Sequence, residues 1–483
     1  MYCLMPVFLL LTPPTDGEKI TFNKHIAPIL FKNCATCHRP GEVGPFSLLT
    51  YKDSAKRADH LAQIVADRQM PPWKPEPGYG EFLDERKLSN QDIELIKRWA
   101  AEGAPEGDPK DRPAAPTFSD GWQLGEPDLV LKMPEPFTIP ATGRDVYQCF
   151  VLPGGITEDR TVAAVEFRPG NRRVVHHALY FLDNTGQARK LDEKDPGPGY
   201  RSFGGIGFLP TGGLGGWAPG ATPRRLPEGH GRMMRKNSDV VFQMHYHPTG
   251  KEEQDQSMIG IYFTKKPAEH LVVALPVLNR RLDIPAGAQR QRVTASFVVP
   301  ADIEAIGVTP HMHLVGREMK VAAVFPDGKS QVLIWIKDWD FNWQGAYQYA
   351  SPVKLPKGTR LDMEYTYDNS AENPHNPSNP PKEVRFGEQT TDEMAFAFVS
   401  LTLPSPDEVA DFRLGTRAEF LASMIEDGVD EAGLGKERAG QLKMLLNAFD
   451  RNHNGKLDAD ERPAMIQFLI KRGQQEEQQH KQQ

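Results

Sequence analysis

The chain has 483 residues, a formal net charge of −7, and 42 each of glycine and proline. That length implies more than one domain, and the turn-rich composition points to a soluble protein with much β structure. The acidic balance, with no basic stripe, argues against nucleic acid as a partner, and four cysteines are too few for a disulfide framework.

Residues 1–14, MYCLMPVFLLLTPP, are apolar but short and lack a basic n-region. They read as the remnant of a signal peptide, which predicts a periplasmic or secreted protein. Cys3 would leave with that signal, and Cys149 would remain as a lone buried thiol. No later run is long enough for a transmembrane segment.

Residues 15–112 contain Cys34-Ala35-Thr36-Cys37-His38, the C-x-x-C-H attachment signature of a c-type haem (heme c). Each thiol can add to a haem vinyl group, and the adjacent His38 can reach the iron. A zinc site needs further soft ligands nearby, and a redox dithiol needs no histidine. Met70 is the only methionine between Gly17 and Pro113. It is the expected sixth ligand, with Pro71-Pro72 stiffening its loop; His25 and His60 are alternatives. Ser89, Asp92, Ile93, Ile96 and Trp99 predict a capped amphipathic helix. The segment resembles small cytochrome c domains, from IAPIL through C-x-x-C-H and MPPW to Leu95, Trp99 and Ala104-Pro105. Residues 113–120 are a Pro-rich linker.

Residues 121–280 offer short apolar runs between turns, such as TVAAVEFRP, VVHHALYFL, DVVFQMHYHP and MIGIYFT. They predict a first all-β domain, a sandwich or jelly roll. His176 and His177 are consecutive, so on a flat strand they point to opposite faces; a bulge or a strand end would be needed to bring both to one metal. His245 and His247 share a face, and spacing alone nominates both as ligands. Residues 281–404 form a second β domain. There His311 and His313 present two imidazoles side by side, two-thirds of a soft metal site. Met394 by itself reads as core packing, although its thioether is a soft ligand that favours Cu(I).

Residues 405–475 end the folded part with helices flanking Asp450–Glu461. That run fits the EF-hand calcium template: Asp450, Asn452, Asn454, Asp458 and Glu461 at positions 1, 3, 5, 9 and 12, Gly455 at 6, and the backbone carbonyl of Lys456 at 7. A partner hand within 411–440 would be degenerate. Residues 476–483 are a polar tail, expected to be disordered.

Across 121–404 four motifs recur in order: the His176-His177 pair, the QMHYH strand, the His311-x-His313 strand with its following glycine, and Asp392-Glu393-Met394. In this the chain resembles the copper type II, ascorbate-dependent monooxygenases, the peptidylglycine α-hydroxylating and dopamine β-monooxygenase family. The resemblance implies two jelly-roll-like copper domains; with the haem and calcium motifs on either side, the expected fold is a multidomain, mainly β protein flanked by an α-helical cytochrome c domain and a small α EF-hand domain. It implies two copper ions, one on His176, His177 and His245, with Gln243 nearby and His247 only a neighbour. The other copper would sit on His311, His313 and Met394, as the catalytic centre. The implied activity is hydroxylation of a C–H bond with O2 on a small-molecule substrate, with electrons relayed through the haem from an upstream donor. The alternative is a non-catalytic haem/copper electron-transfer or metal-binding protein that keeps the fold. The peptide-hydroxylating branch carries an Arg, an Asn and a Tyr where this chain has Thr309, Phe396 and Phe398, so a peptide substrate is not implied.

Overall fold

The computed structural model describes residues 18–482 apart from 84, 119–120, 203–204, 427, 430–435 and 459. The expected signal remnant 1–14, with Cys3, lies outside those residues, as does part of the expected partner hand. The chain splits into two compact units. One comprises Met1–Trp73 with Asp84–Asp120, the other Lys74–Leu83 with Gly121–Gln483.

The first unit is helical: α1 (Ala27–Asn33), α2 (Tyr51–Ala55), α3 (Ala58–Ala66) and α4 (Asn90–Ala101). α4 starts where the sequence predicts. Ser89 accepts from the Asp92 N–H, and the Asp92 carboxylate reaches back to the Ser89 N–H, closing a capping box. Its apolar face buries Ile93, Ile96 and Trp99 against Ile20, Phe22, Ile26 and Leu61. Phe22 sits between Tyr51 and Trp99, with ring centroids 5.6 and 6.0 Å away.

The second unit is mainly β. Its earlier strands are β1 (Leu129–Lys132), β2 (Phe137–Ile139), β3 (Val146–Pro153), β4 (Arg160–Arg168), β5 (Val175–Asp183), β6 (Tyr200–Arg201), β7 (Gly212–Trp217), β8 (His230–Met234), β9 (Asp239–Tyr246), β10 (Glu253–Asp255), β11 (Met258–Phe263) and β12 (His270–Asn279). Then follow β13 (Asp283–Ile284), β14 (Gln291–Val298), β15 (Ile303–His311), β16 (Gly316–Val324), β17 (Ser330–Ile336), β18 (Tyr347–Leu355), β19 (Arg360–Tyr367), β20 (Val384–Arg385) and β21 (Ala395–Leu403).

A five-stranded sheet runs β6-β3-β9-β5-β7, an eight-stranded sheet β1-β11-β4-β8-β12-β21-β15-β18, and a four-stranded sheet β14-β19-β16-β17. Phe150, Tyr180, Val240 and Phe242 of the five-stranded sheet share one core with Val162, Ile259 and Ile261 of the eight-stranded one. Strict alternation, as in β19 and the first part of β21, puts every second side chain into such a core.

The eight-stranded sheet crosses the boundary that the sequence places at 280/281. β12 meets β8 in parallel through His270↔His230 and Leu271↔Gly231. Along its other edge it pairs with β21 from Leu271↔Leu403 to Asn279↔Ala395. The last strand of the first expected domain is thus built into the sheet of the second.

Residues Lys74–Leu83 lie within the expected haem module but belong to the second unit. The Glu76 N–H donates to Trp335 O (2.7 Å), the Leu83 N–H to Gln348 O (2.8 Å) and the Ala350 N–H to Glu81 O (2.8 Å). Phe82 stacks on Tyr349 at 5.4 Å, and Lys74 Nζ lies 2.8 Å from Asp338 Oδ2. A Cβ on Gly80 would come within 2.5 Å of Leu333 O, so only glycine allows so close a pass.

A short α5 (Gln187–Asp192) joins β5 to β6, and the chain ends in α6 (Pro406–Ile425), α7 (Lys436–Phe449) and α8 (Arg462–Gln482), packed around Ile425, Leu446, Leu457 and Met465. The tail expected to be disordered continues α8, in keeping with the helix propensity of its Gln and Glu residues.

Candidate metal centres

β5 carries His176 and His177, and β9 carries His245. The β5–β9 register resolves the problem of two consecutive histidines. Val175 pairs with Tyr246 and His177 with His245, which leaves His176 as the extra residue of a β-bulge. His176 Nδ1 and His245 Nδ1 each lie 3.3 Å from His177 Nδ1, and ligand atoms of all three fall within 4.8 Å of one another. Nitrogens bonded to one metal at about 2.0–2.1 Å with near-tetrahedral angles stand ~3.3–3.4 Å apart. A neutral imidazole has one N–H and one bare nitrogen, so three converging Nδ1 atoms cannot all satisfy one another. The donor set therefore fits a metal ion. Burial, then neighbouring His245, pushes His176 down to about 3 and His177 well below its ordinary value. Both rings are neutral at pH 7, the form that binds metal.

His247 stays out of the cluster. Its side chain is 63% exposed, with Nδ1 2.8 Å from Asp145 Oδ1. His245 Nε2 lies 3.0 Å from Asp145 Oδ2, an ion-pair distance off the line of a good hydrogen bond. Burial would raise Asp145, but its contacts with His245 and Thr390 outweigh that and hold it below the usual carboxylate range. A carboxylate behind the far nitrogen fixes ring orientation and tautomer. Tyr147 stacks on the His245 ring at 4.3 Å, and its hydroxyl donates to Glu388 O. Gln243 is buried and donates to Gly205 O (2.9 Å).

The second pair closes β15. His311 Nδ1 meets Gln344 Oε1, and His313 Nδ1 meets Asp392 O at 3.1 Å. With each Nδ1 engaged, Nε2 is the nitrogen left to each ring. The two rings stand 5.0 Å apart at 86°. Burial pushes His311 down to about 4 and His313 well below its ordinary value. β15 and β21 pair as far as His311↔Phe396. The ladder ends there, with His313 two residues past the end of its strand and Met394 just before the start of the other.

Glu393 ties those two ends together. Fully buried, it accepts the N–H groups of His313 and Met394 through Oε1. Burial pushes its carboxyl up to about 8. The Tyr367 hydroxyl donates to Met394 O (2.8 Å), and Trp339 Nε1 to His313 O (3.2 Å). A Cβ on Gly316 would lie 2.9 Å from Met312 Cβ and 3.1 Å from the Trp339 ring, so the glycine after the two histidines lets that tryptophan in. On the same sheet, Thr309 pairs with Phe398, and the Phe396 and Phe398 rings pack at 4.7 Å.

In the first unit, Cys34 ends α1, and His38 Nδ1 contacts Phe46 O at 3.1 Å, leaving Nε2 to face a ligand. Burial, then Cys37, pushes the Cys34 thiol up to about 12, away from the thiolate a redox dithiol needs. Met70 is half-buried in the turn after α3, on whose exposed face His60 sits. His25 is engaged at both nitrogens, Nδ1 by the Thr21 N–H (3.1 Å) and Nε2 by Glu18 (3.5 Å). Cys149 is fully buried beside Tyr200 and Val241.

The Asp450–Glu461 run folds as one tight loop. Asp450 accepts the N–H groups of Asn454 (3.1 Å) and Gly455 (2.8 Å), and Glu461 those of Arg451 (2.6 Å) and Asp458 (3.0 Å). Asp458 Oδ2 holds the amides of Asn452 and Asn454 at 2.7 and 2.8 Å. The Asn454 side chain accepts the Lys456 N–H. The Leu457 N–H donates to Glu426 O (3.2 Å), just after α6.

Sequence reasoning misses Asp145, Tyr147, Trp339, Phe341, Gln344 and Glu393. Only Glu393 stood within a motif; Asp145 immediately precedes β3 and Tyr147 lies at its start, and Trp339, Phe341 and Gln344 lie in an aperiodic loop.

These observations define a mainly β, multidomain protein with a three-histidine cluster able to hold a metal ion. Among the described residues no helix is long and apolar enough to cross a membrane. No known family matches the chain, and no curated protein does. Among solved structures, PNGF-II is similar at 11% identity and a TM-score of 0.26 over 56% of this chain, which spans 65% of that protein's length. The infectious bursal disease virus VP2 subviral particle gives 8% identity and a TM-score of 0.17, covering 71% of this chain and 92% of the viral one. Likeness at that level carries no argument.

Proposed function

We propose that the protein is a monooxygenase of the copper type II, ascorbate-dependent kind, hydroxylating a C–H bond of a small apolar molecule with O2. The observation that carries the reading is the convergence of the His176 and His245 Nδ1 atoms on that of His177, each at 3.3 Å, in the same β unit as the His311–His313 pair. The donor sets suit copper: three imidazoles at one centre, and two imidazoles with the Met394 thioether at the other. Copper at those centres would supply one-electron chemistry with O2, and a haem on Cys34, Cys37, His38 and Met70 would supply electrons from an upstream donor. The finer fold that goes with this reading is two jelly rolls, a cytochrome c domain and an EF-hand holding calcium, in a periplasmic or secreted protein.

The chain's own residues would do the rest. Asp145, Gln344 and the Asp392 carbonyl orient three imidazoles from behind. Glu393 fixes the backbone that presents His313 and Met394. Phe396 and Phe398 give the substrate an apolar wall beside His311, and Thr309 across from Phe398 adds only a neutral hydroxyl.

The two phenylalanines favour a second reading, a non-catalytic haem/copper electron-transfer or metal-binding protein, since Phe396 and Phe398 offer a substrate no polar anchor. Iron and copper per chain, measured after expression with haem maturation and copper loading, test the first reading. Two coppers to one iron support it; iron without copper overturns it. Oxygen consumption coupled to a hydroxylated product separates it from the second.

A further inference from the structure

The loop Asp338–Gln344 touches both histidine centres. The Phe341 ring stacks on His176 at 5.0 Å and 18°, and meets His313 at 5.7 Å and 82°. Both separations lie in the range where aromatic pairs attract. The loop is fastened on either side of that ring. The Trp339 N–H donates to Arg317 O (2.9 Å), and its indole to His313 O (3.2 Å). Gln344 holds His311 Nδ1 with its oxygen and donates from Nε2 to Phe341 O (2.9 Å). At the loop's start, Lys74 Nζ lies 2.8 Å from Asp338 and 3.9 Å from Asp340.

We propose that Phe341 is a spacer: the ring lies between His176 of one centre and His313 of the other, sets their separation, and keeps water out of the gap. It is a positioning residue, acting through the two imidazoles. A single flat ring held by the loop permits one spacing. Without it the gap has no filler: the shared core still holds the two sheets together, but the two imidazoles lose the ring that fixes their spacing and the gap can admit water. The copper part of the test rests on the function proposed above; the spacer itself does not.

The first experiment uses the full chain, metal-free apart from reduced haem, with labelled histidine and phenylalanine rings. Phe46 already meets two histidines, His38 at 4.8 Å and His60 at 6.4 Å, so Phe46→Leu serves as the background. In that background magnetic-resonance contacts are expected from one phenylalanine ring to two histidine rings, and adding Phe341→Leu should remove both sets together. If no phenylalanine is common to two histidines in the Phe46→Leu background, the proposal is overturned, whether or not the double variant folds. The second experiment loads Cu(II) and reads the dipolar coupling between the ions. A single narrow distance is expected, broadened in Phe341→Leu and restored in Phe341→Tyr; an unchanged distribution in Phe341→Leu overturns the spacer. Failure to bind two coppers counts against the proposed function, while the ring contacts still decide the spacer.

Discussion

Replacing Glu393 by alanine would strip the acceptor from the N–H groups of His313 and Met394, both of which donate to one carboxyl oxygen. The side chain is fully buried, so water cannot take its place. A buried donor left unpaired costs ~1–3 kcal/mol, which makes the expected loss ~2–6 kcal/mol for the pair. Glu393→Gln keeps an acceptor of the same shape and should lose under about 1 kcal/mol. The two variants also separate in pH. Burial raises this carboxyl from 4.5 to about 8. A raised acid stays neutral in the fold but ionises in the unfolded chain, so its contribution is complete below 4.5 and lost as pH climbs towards 8. Glutamine does not titrate, so Glu393→Gln should be flatter than wild type across that window. Urea unfolding of the copper-free protein near the two ends of the window, followed by tryptophan fluorescence, reads both effects. An alanine variant within about 0.5 kcal/mol of wild type would refute the reasoning, because buried N–H groups without partners cannot be that cheap.

His177→Ala should remove one copper per chain and leave the other, by metal analysis; loss of both, or of neither, contradicts two separate centres. Asp145→Asn should weaken copper at the three-histidine centre by ~10–100-fold, the usual cost of losing a carboxylate behind a ligating imidazole, measured by competition with a chelator. Met394→Ala should abolish hydroxylation while copper on His176, His177 and His245 survives, and a variant as fast as wild type removes the role given to that thioether. Calcium should raise the melting temperature of the full chain and Glu461→Gln should cancel the gain; no response to EGTA would leave the Asp450–Glu461 loop a calcium-free turn.

Much of the candidate site was readable because its histidines come as spaced side chains. The i, i+2 spacing of His311 and His313 brought two imidazoles together, and Ser89 with Asp92 announced a helix start that the capping box bears out. His176 was harder, since its place depends on one residue of slippage between β5 and β9 that no local pattern encodes. The supports were harder still. Asp145 lies over 90 residues before His245, and Phe341 and Gln344 lie in an aperiodic loop; chain reversal alone brings them to the histidines. The continuity of β12 with β21 was hidden for the same reason, because strand alternation tells which face is buried but not which neighbour is paired.

The strap Lys74–Leu83 changes what counts as a separable part. The Pro-rich run 113–120 reads as the natural place to cut, yet a fragment starting at Gly121 would lack the strap and leave the backbone of Trp335, Gln348 and Ala350 without its partners. A fragment ending at Asp120 would carry ten residues whose packing surface it lacks. The two units are interlaced along the chain, so neither can be gained, lost or exchanged by a single crossover in the gene. A protease acting only in 113–120 would nick the polypeptide and still leave both pieces joined, with the strap threaded into the β unit as a guest strand of its own severed neighbour.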